Sequence, residues 1–523
     1  MLFNSFTFVF IFLPAVVGGY LVLRRLGGAD LRLVWILAAS LFFYGWWNPW
    51  NLFLLVGSIG FNYGAGLVLA GRVPAISARL GQPVLLTIGV VANLALLGFF
   101  KYANFFVDSV GTIFGASIPF GEVVLPLAIS FFTLQQIAFL IDVYRGRVAN
   151  YSFLHYGVFV SFFPQLIAGP IVHHHEVIPQ FSKGERGVPL SNISIGLTIF
   201  AVGLFKKVIL ADTASTFATP VFDAALAGAD PTLVEAWGGM LAYTLQIYFD
   251  FSGYSDMAIG LARMFGIRLP LNFNAPYQSA SIIEFWGRWH ITLSRFLREY
   301  LYIPLGGNRN GNLRRYGNLM AVMLIGGLWH GAGVTFVIWG GLHGLYLIVN
   351  HTWRNVAGAL GRRRRNPVPS RALALHPALA RAITFLAVAF AWVAFRAEDL
   401  GSAGAIYRGL FGFNGISLPS QADFLEPLTR LVPIAFDGLG AFGSVGGERK
   451  GVIVIAILLV VVAFAPPTHR WLARTRPVLG RISDPSRIQW RPSLRWAIVT
   501  GLIASIAVYG MFSGVDEFIY FQF

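Results

Sequence analysis

Between Tyr316 and Trp353 the chain runs for 38 residues without an Asp, Glu, Lys or Arg. A helix needs about 20 mostly apolar residues to cross the hydrocarbon core of a bilayer, so this run can hold one long crossing or two. It has company. Met1–Leu23, Leu33–Gly71, Leu80–Phe100, Val123–Ile141, Val148–His175, Gly187–Phe205, Gly451–His469 and Trp496–Val515 are also free of the four charged types, with shorter runs at Ala236–Phe249 and Ala382–Phe395. Of 523 residues, 12% are charged and 56% hydrophobic, and the mean hydropathy is +0.66. A soluble chain carries about 25% charged residues, so this one cannot coat a globule of its size. Disorder, a collagen-like fibre and a secreted disulfide scaffold are excluded with it. There is no cysteine, which removes disulfides, Cys-based zinc sites, thiol nucleophiles and palmitoylation. Acid–base or covalent chemistry must fall to Ser, His, Asp, Glu, Tyr or Lys.

The net charge of +16 would suggest nucleic acid in a soluble protein. Here the basic residues cluster between apolar runs, which is the signature of positive-inside loops, and no nucleic-acid partner is expected. Met1–Leu23 lacks a basic leader and is followed by Arg24, Arg25 and Arg32, so it reads as a retained first helix with its N-terminus outside. Leu33–Gly71 reads as two helices broken at Trp47-Asn48-Pro49-Trp50. Alternation puts Arg72, Arg79, Arg145, Arg147, Arg263 and Arg268 inside, and the loops Asp108–Glu122 and Asp212–Pro231 outside. Trp353–Arg381 and Pro466–Arg495 each carry seven arginines, whereas Glu398–Lys450 has six acids against four bases. We therefore expect one membrane domain over residues 1–523, with basic cytoplasmic loops at 353–381 and 466–495 and a periplasmic loop at 398–450.

Parity constrains the centre. With Arg309, Arg314 and Arg315 inside and Arg354 and Arg362–Arg365 also inside, Tyr316–Trp353 must cross an even number of times. Two packed helices or a hairpin turning within the bilayer fit, and Gly326-Gly327 with Gly331-Ala332-Gly333 supply the small residues for such a turn. His330 lies at its centre. An ionisable group inside a membrane segment is a functional candidate by default, and histidine suits general-base work near neutral pH. The alternative is a histidine that only staples two helices.

Ser279–Leu301 has the pattern of one amphipathic helix, opened by a capping box at Ser281–Glu284. Its polar face holds Glu284, Arg288, Arg295 and Arg298. The arginines suit either lipid headgroups or an acidic, phosphate-bearing donor. His290 and Trp289 fall on the apolar side. In Tyr248-Phe249-Asp250-Phe251-Ser252-Gly253-Tyr254-Ser255-Asp256, two carboxylates interrupt an apolar helix. Buried acids need partners, and Arg288 or Arg298 are candidates, so that Asp250 and Asp256 pin helices around a site. His173-His174-His175-Glu176 hints at a metal, but three consecutive residues converge poorly on one ion and no second ligand cluster is visible, so no metal is expected. Lys206-Lys207 suits snorkelling to a headgroup. No nucleotide-binding loop, nucleophile elbow or zinc-protease helix is present.

Taken together, YFDFSGYSDMAIG at Tyr248–Gly260, EFWGRWHITLSRFLREYLYIP at Glu284–Pro304, LGGN at Leu305–Asn308 and GGLWHGAG at Gly326–Gly333 resemble the membrane-bound O-acyltransferase superfamily. The likeness is closest to its bacterial polysaccharide O-acetyltransferase branch. Met1–Pro14, Lys101-Tyr102, Leu125–Phe131, Phe163–Pro170 and FIYFQF at Phe518–Phe523 extend it over nearly the whole chain. The resemblance implies an all-α polytopic inner-membrane protein of about a dozen transmembrane and re-entrant helices around a central funnel. It implies acetyl transfer from acetyl-CoA or another cytoplasmic acetyl thioester to an exopolysaccharide, alginate-like or cellulose-like, directly or through a periplasmic acetyltransferase within a polysaccharide biosynthesis complex. His330 and His290 would be catalytic, with Trp329, Arg288, Trp289, Arg295, Asp250 and Asp256 positioning donor or acceptor. Two other classes share the pattern. One is a transporter of glycan or acyl carrier, against which stands the lack of an inverted repeat. The other is a noncatalytic scaffold of a synthase complex.

Overall fold

The structure, a computed structural model, describes residues 1–26, 28–115, 120–148, 151–183, 190–363, 376–418, 434–435, 438–443, 447–482, 484–514 and 517–519. Parts of the basic run at Arg362–Arg365, of the 398–450 loop and of the C-terminal FIYFQF fall outside these residues. Helices dominate, and among the described residues seven are long and apolar enough to cross a membrane: Thr7–Leu26, Pro49–Leu69, Gln82–Phe114, Leu190–Leu226, Val334–Ala357, Pro377–Arg396 and Leu494–Ser513. The strands described are one parallel pair of two residues each, Ile416–Ser417 with Ile434–Ala435. The chain is an all-α, multi-pass membrane protein.

It divides into two compact units: Met1–Val208 with Phe251–Asn272 and the chain from Thr468, and Ile209–Asp250 with Phe273–Pro467. In the first unit the break expected at Trp47-Asn48-Pro49-Trp50 is present, between a helix that ends at Gly45 and one that starts at Pro49. Asn48 is extended (φ −148°, ψ 109°) and its side chain accepts from the Trp50 N–H at 3.0 Å. Pro49, at the first helical position, has no N–H to lose there. Helices Pro49–Leu69 and Gln82–Phe114 are joined by a buried amide pair: Asn62 Nδ2 donates to Asn93 Oδ1 at 3.1 Å, and Asn93 Nδ2 donates back at 2.7 Å. Such polar pairs tie helices where lipid offers no hydrophobic drive. The helix α1 (Ile129–Tyr144) is buried along nearly its whole length and is followed, after the short helices Phe153–Ser161 and Phe163–Leu166, by α2 (His174–Lys183).

The longest helix of the acyltransferase-like motifs, α3 (Leu233–Met264), contributes to both units. Its C-terminal half packs on Leu190–Phe205 at two matched glycine pairs. A Cβ on Gly203 would sit 2.6 Å from the Gly253 carbonyl, and one on Gly260 would sit 2.6 Å from the Gly196 carbonyl. Backbones this close tolerate no side chain.

Two expected loops are helical. Asp108 lies inside Gln82–Phe114, and Asp212–Leu226 is a helix continuing Leu190–Phe205. The first stretch carries one acid, Asp108, and the second two, Asp212 and Asp223, among apolar and small residues, and so few charges do not end a helix that packing otherwise supports.

In the second unit, the expected amphipathic helix over Ser279–Leu301 is in fact two short ones, α4 (Ile282–Trp286) and α5 (Ile291–Leu297). Ser281 caps α4, accepting from the Glu284 N–H at 3.2 Å, while the Glu284 carboxylate reaches Ala280 N at 2.8 Å. The break comes at His290, whose backbone is left-handed (φ 41°, ψ 51°). Periodicity could not reveal it, because the apolar spacing continues across the turn.

The run from Tyr316 to Trp353 folds into α6 (Gly311–His330) and α7 (Val334–Arg363), a helical hairpin that turns at Gly331–Gly333. Gly327 of α6 lies against the backbone of Phe336, and Gly340 of α7 against that of Met323. The parity argument thus yields a hairpin with glycine at its contact points. Ahead of it, Gly306 (φ 104°) and Gly307 (φ 57°) adopt left-handed backbone that favours glycine. Buried Asn318 of α6 donates to the carbonyls of Leu305 and Gly307 at 3.2 and 2.9 Å, which accounts for the LGGN element. The helix α8 (Pro377–Arg396) completes the set, with Trp392 Nε1 donating to Tyr277 Oη, which itself donates to the Thr244 carbonyl of α3.

Candidate functional site

His330 is the last residue of α6 and only 3% exposed. It sits at the point where the hairpin gives up its helical backbone, so its position is set by the two packed helices rather than by a mobile loop. Three aromatic rings enclose it: Trp329 at 4.9 Å, Trp339 of α7 at 5.1 Å and Phe395 of α8 at 5.2 Å between centroids, all near edge-on. His290 completes the box, with its ring centroid 6.4 Å from that of His330 and 6.2 Å from that of Trp329.

His290 is fully buried. A left-handed conformation in a residue with a Cβ costs of order 1–3 kcal/mol and tends to persist where function needs it. Here it has a definite local consequence: it breaks the helix so that the imidazole is placed at the start of α5 beside the end of α6. The His290 carbonyl is used as well, accepting from Ser294 N at 3.0 Å.

The other expected site residues divide. Trp329 is in the box. Trp289 is 1% exposed and packs on Trp392 at 4.9 Å and Phe273 at 5.0 Å. Arg288 pairs with Glu284 at 2.5 Å within its own turn, and Arg295 follows on α5, half-buried. Asp250 is buried on α3 within the unit that holds His330.

Asp256 requires a correction. Neither Arg288 nor Arg298 is its partner. It accepts from Lys206 Nζ at 2.6 Å and from Thr468 Oγ1 at 2.6 Å, and it belongs with them to the other compact unit. Lys206 therefore also differs from expectation, since its ammonium is bound to a carboxylate instead of reaching for a headgroup. Six residues along α3 turn Asp256 away from the face of Asp250, and its partner comes from a segment that no sequence spacing relates to it.

Sequence reasoning missed His343. It lies in the same uncharged run as His330, so the rule that selected one histidine applied equally to the other. On α7, four residues after Trp339, it is fully buried. Its ring stands 4.9 Å from Trp339, 5.1 Å from Trp286 and 6.0 Å from Phe285, nearly parallel to the last. Among the described residues, neither of its ring nitrogens nor the indole N–H of Trp286 or Trp339 meets a hydrogen-bonding group. A buried polar group without a partner costs about 1–3 kcal/mol, so this wall is better suited to a polar substrate than to a sealed core.

The expectation for His173–His175 also changes in one respect. Three consecutive histidines do not have to converge alone, because Asp142 of α1 stands beside them.

Helices long and apolar enough to cross a membrane, with His290 and His330 brought together at the tip of a glycine-packed hairpin, define a polytopic membrane protein with buried histidines at its centre. The family of such proteins follows from comparison. The family model described as MBOAT, membrane-bound O-acyltransferase family, matches residues 146–390, a range that takes in His290, His330 and His343. The peptidoglycan O-acetyltransferase of Helicobacter pylori is 47% identical over 445 residues, covering 80% of this chain and 81% of that protein. The probable alginate O-acetylase AlgI of Pseudomonas putida is 43% identical over the full length of both chains. More remote is the teichoic acid D-alanyltransferase of Streptococcus thermophilus, 26% identical over 46% of this chain and 60% of that protein. The chain belongs to the membrane-bound O-acyltransferase family and is an O-acyltransferase.

Proposed function

We propose that the protein transfers an acetyl group from a cytoplasmic acetyl thioester, acetyl-CoA or an acyl carrier, to a hydroxyl on the far side of the bacterial inner membrane. The product is an O-acetylated exopolysaccharide, alginate-like or cellulose-like, reached directly or through a periplasmic acetyltransferase of the same biosynthesis complex. The relatives between 40% and 47% identical are named for O-acetylation, whereas those at 26–27% are named for D-alanyl transfer. That difference favours acetyl as the group carried.

One observation carries the mechanism: His330 and His290 face each other at 6.4 Å between ring centroids in a box of aromatic side chains. In the proposed reaction a ring nitrogen of His330 takes the proton of the acceptor hydroxyl. The hydroxyl oxygen attacks the thioester carbonyl carbon, a C–O bond forms, the C–S bond breaks, and the thiolate leaves with the proton that His330 held. General-base help of this kind contributes about 10²–10⁴-fold. His290 and Trp329 hold donor and acceptor in line, and an N–H directed at the developing oxyanion strengthens as water is excluded. Trp289 supports His290. Arg288 and Arg295 supply positive charge for a phosphate-bearing donor, Asp250 orders the helix beside the box, and the transfer uses no metal.

The test uses the purified full-length protein in detergent with acetyl-labelled CoA. Thioester hydrolysis or label transfer that depends on His330 is the expected result. A His330→Ala protein that inserts, folds and still transfers acetyl at the wild-type rate would overturn the assignment.

A further inference from the structure

A second group of ligand-type side chains lies outside the histidine box. Asp142, His174 and His175 bring one ligand atom each within 4.8 Å of one another. Asp142, near the end of α1, is 1% exposed, and His174, the first residue of α2, is 6% exposed, whereas His175 faces outward.

The chemistry of His174 is what points to an ion. Its Nδ1 is buried, has no hydrogen bond among the described residues and stands 3.7 Å from Asp142 Oδ2. A neutral imidazole has one N–H and one lone pair, and in the tautomer with its N–H at Nε2 the Nδ1 lone pair is a metal ligand beside that carboxylate. The separation is too long for a hydrogen bond. It is close to the roughly 3.4 Å between ligands that each stand about 2.0–2.2 Å from one tetrahedral ion. The other carboxylate oxygen, Oδ1, has Arg147 Nη1 at 3.5 Å, so the ion would sit on the Oδ2 side. His173 Nδ1 lies 4.0 Å from the same Oδ2.

We propose that Asp142, His174 and His175 bind one divalent transition-metal ion of the zinc class, clipping the end of α1 to the start of α2. Two imidazoles and one carboxylate suit Zn²⁺ and its neighbours, whereas Ca²⁺ and Mg²⁺ take oxygen ligands. The clip is structural and independent of the acetyl-transfer mechanism.

The test is metal content of the full-length protein, purified in detergent without a polyhistidine tag, loaded with Zn²⁺ and passed through gel filtration. About one zinc per chain is expected, with Co²⁺ giving a ligand-field spectrum at the same stoichiometry. Asp142→Asn and His174→Ala should lose the ion. His175→Ala changes an exposed side chain and keeps the test decisive if the buried variants do not fold; its zinc affinity should fall at least about 10-fold, as loss of support at a metal site typically does. A wild-type protein that retains no stoichiometric zinc, or a His175→Ala protein that retains as much as wild type, would overturn the proposal.

Discussion

Two groups of histidines in this chain are buried in opposite surroundings. In the unit holding the hairpin, His290, His330 and His343 are walled by Trp286, Trp329, Trp339 and Phe395. In the other unit, His173 and His174 stand beside the Asp142 carboxylate, and His469 stands among cations. The same imidazole serves different ends accordingly. Aromatic walls keep water from the first group, as the acid–base role proposed for His330 needs, whereas the second group has a carboxylate or cations for neighbours, which suits a role in holding the fold.

The largest effect that would break this contrast is at His330. His330→Ala should lower acetyl transfer by about 10²–10⁴-fold with thermal stability in detergent little changed, and paired rate and melting measurements check both halves. If the melting point collapses instead, the box is a core and not a site.

Next comes the charged unit. Asp256→Ala leaves the Lys206 ammonium, 14% exposed, without its carboxylate. Removing one member of a buried pair costs about 3 kcal/mol. A clear drop in unfolding temperature is expected, while the protein that remains folded keeps its transfer rate.

The third prediction concerns pH. Burial, then Arg470 and Lys206, push His469 down to about 3. Its folded-state value is below the unfolded one, so the unfolded chain takes up the proton first as pH falls. Stability is therefore intact above about pH 6.5 and declines toward pH 3, by at most about 2 kcal/mol at pH 5. Unfolding temperatures between pH 7.5 and 5 should show that slope, and His469→Gln should flatten it.

The smallest expected effect sharpens the other side. His343→Phe keeps an aromatic ring against Phe285 and Trp339 but removes both nitrogens. A loss of about 10-fold in transfer, about 1.4 kcal/mol, is expected without loss of stability. An unchanged rate would make His343 a packing residue.

Much of this was legible in the residue order. The membrane class, the break before Pro49 and the hairpin around His330 all follow from where charge is missing and where arginine returns. The motif likeness led to His290 and Trp329 as well. What escaped was the identity of partners. Glu284 and Arg288 pair at a local spacing and could be read; Asp256 with Lys206 and Thr468 could not. Nor could the turn at His290, because a left-handed residue leaves the apolar pattern on either side intact. His343 was legible by the same rule as His330, but only the packing shows it buried among aromatic rings instead of facing lipid.

The sequence alone determined that this protein lives in a bilayer and folds back on itself at His330, because solvation by lipid and the cost of moving arginine across it depend on composition along the chain. The tertiary structure alone decided which buried groups meet. The Asp142 carboxylate beside His174, the Lys206 ammonium on Asp256 and the His290 ring opposite His330 each bring together segments far apart in the chain. Such meetings depend on how helices pack, which no local period records.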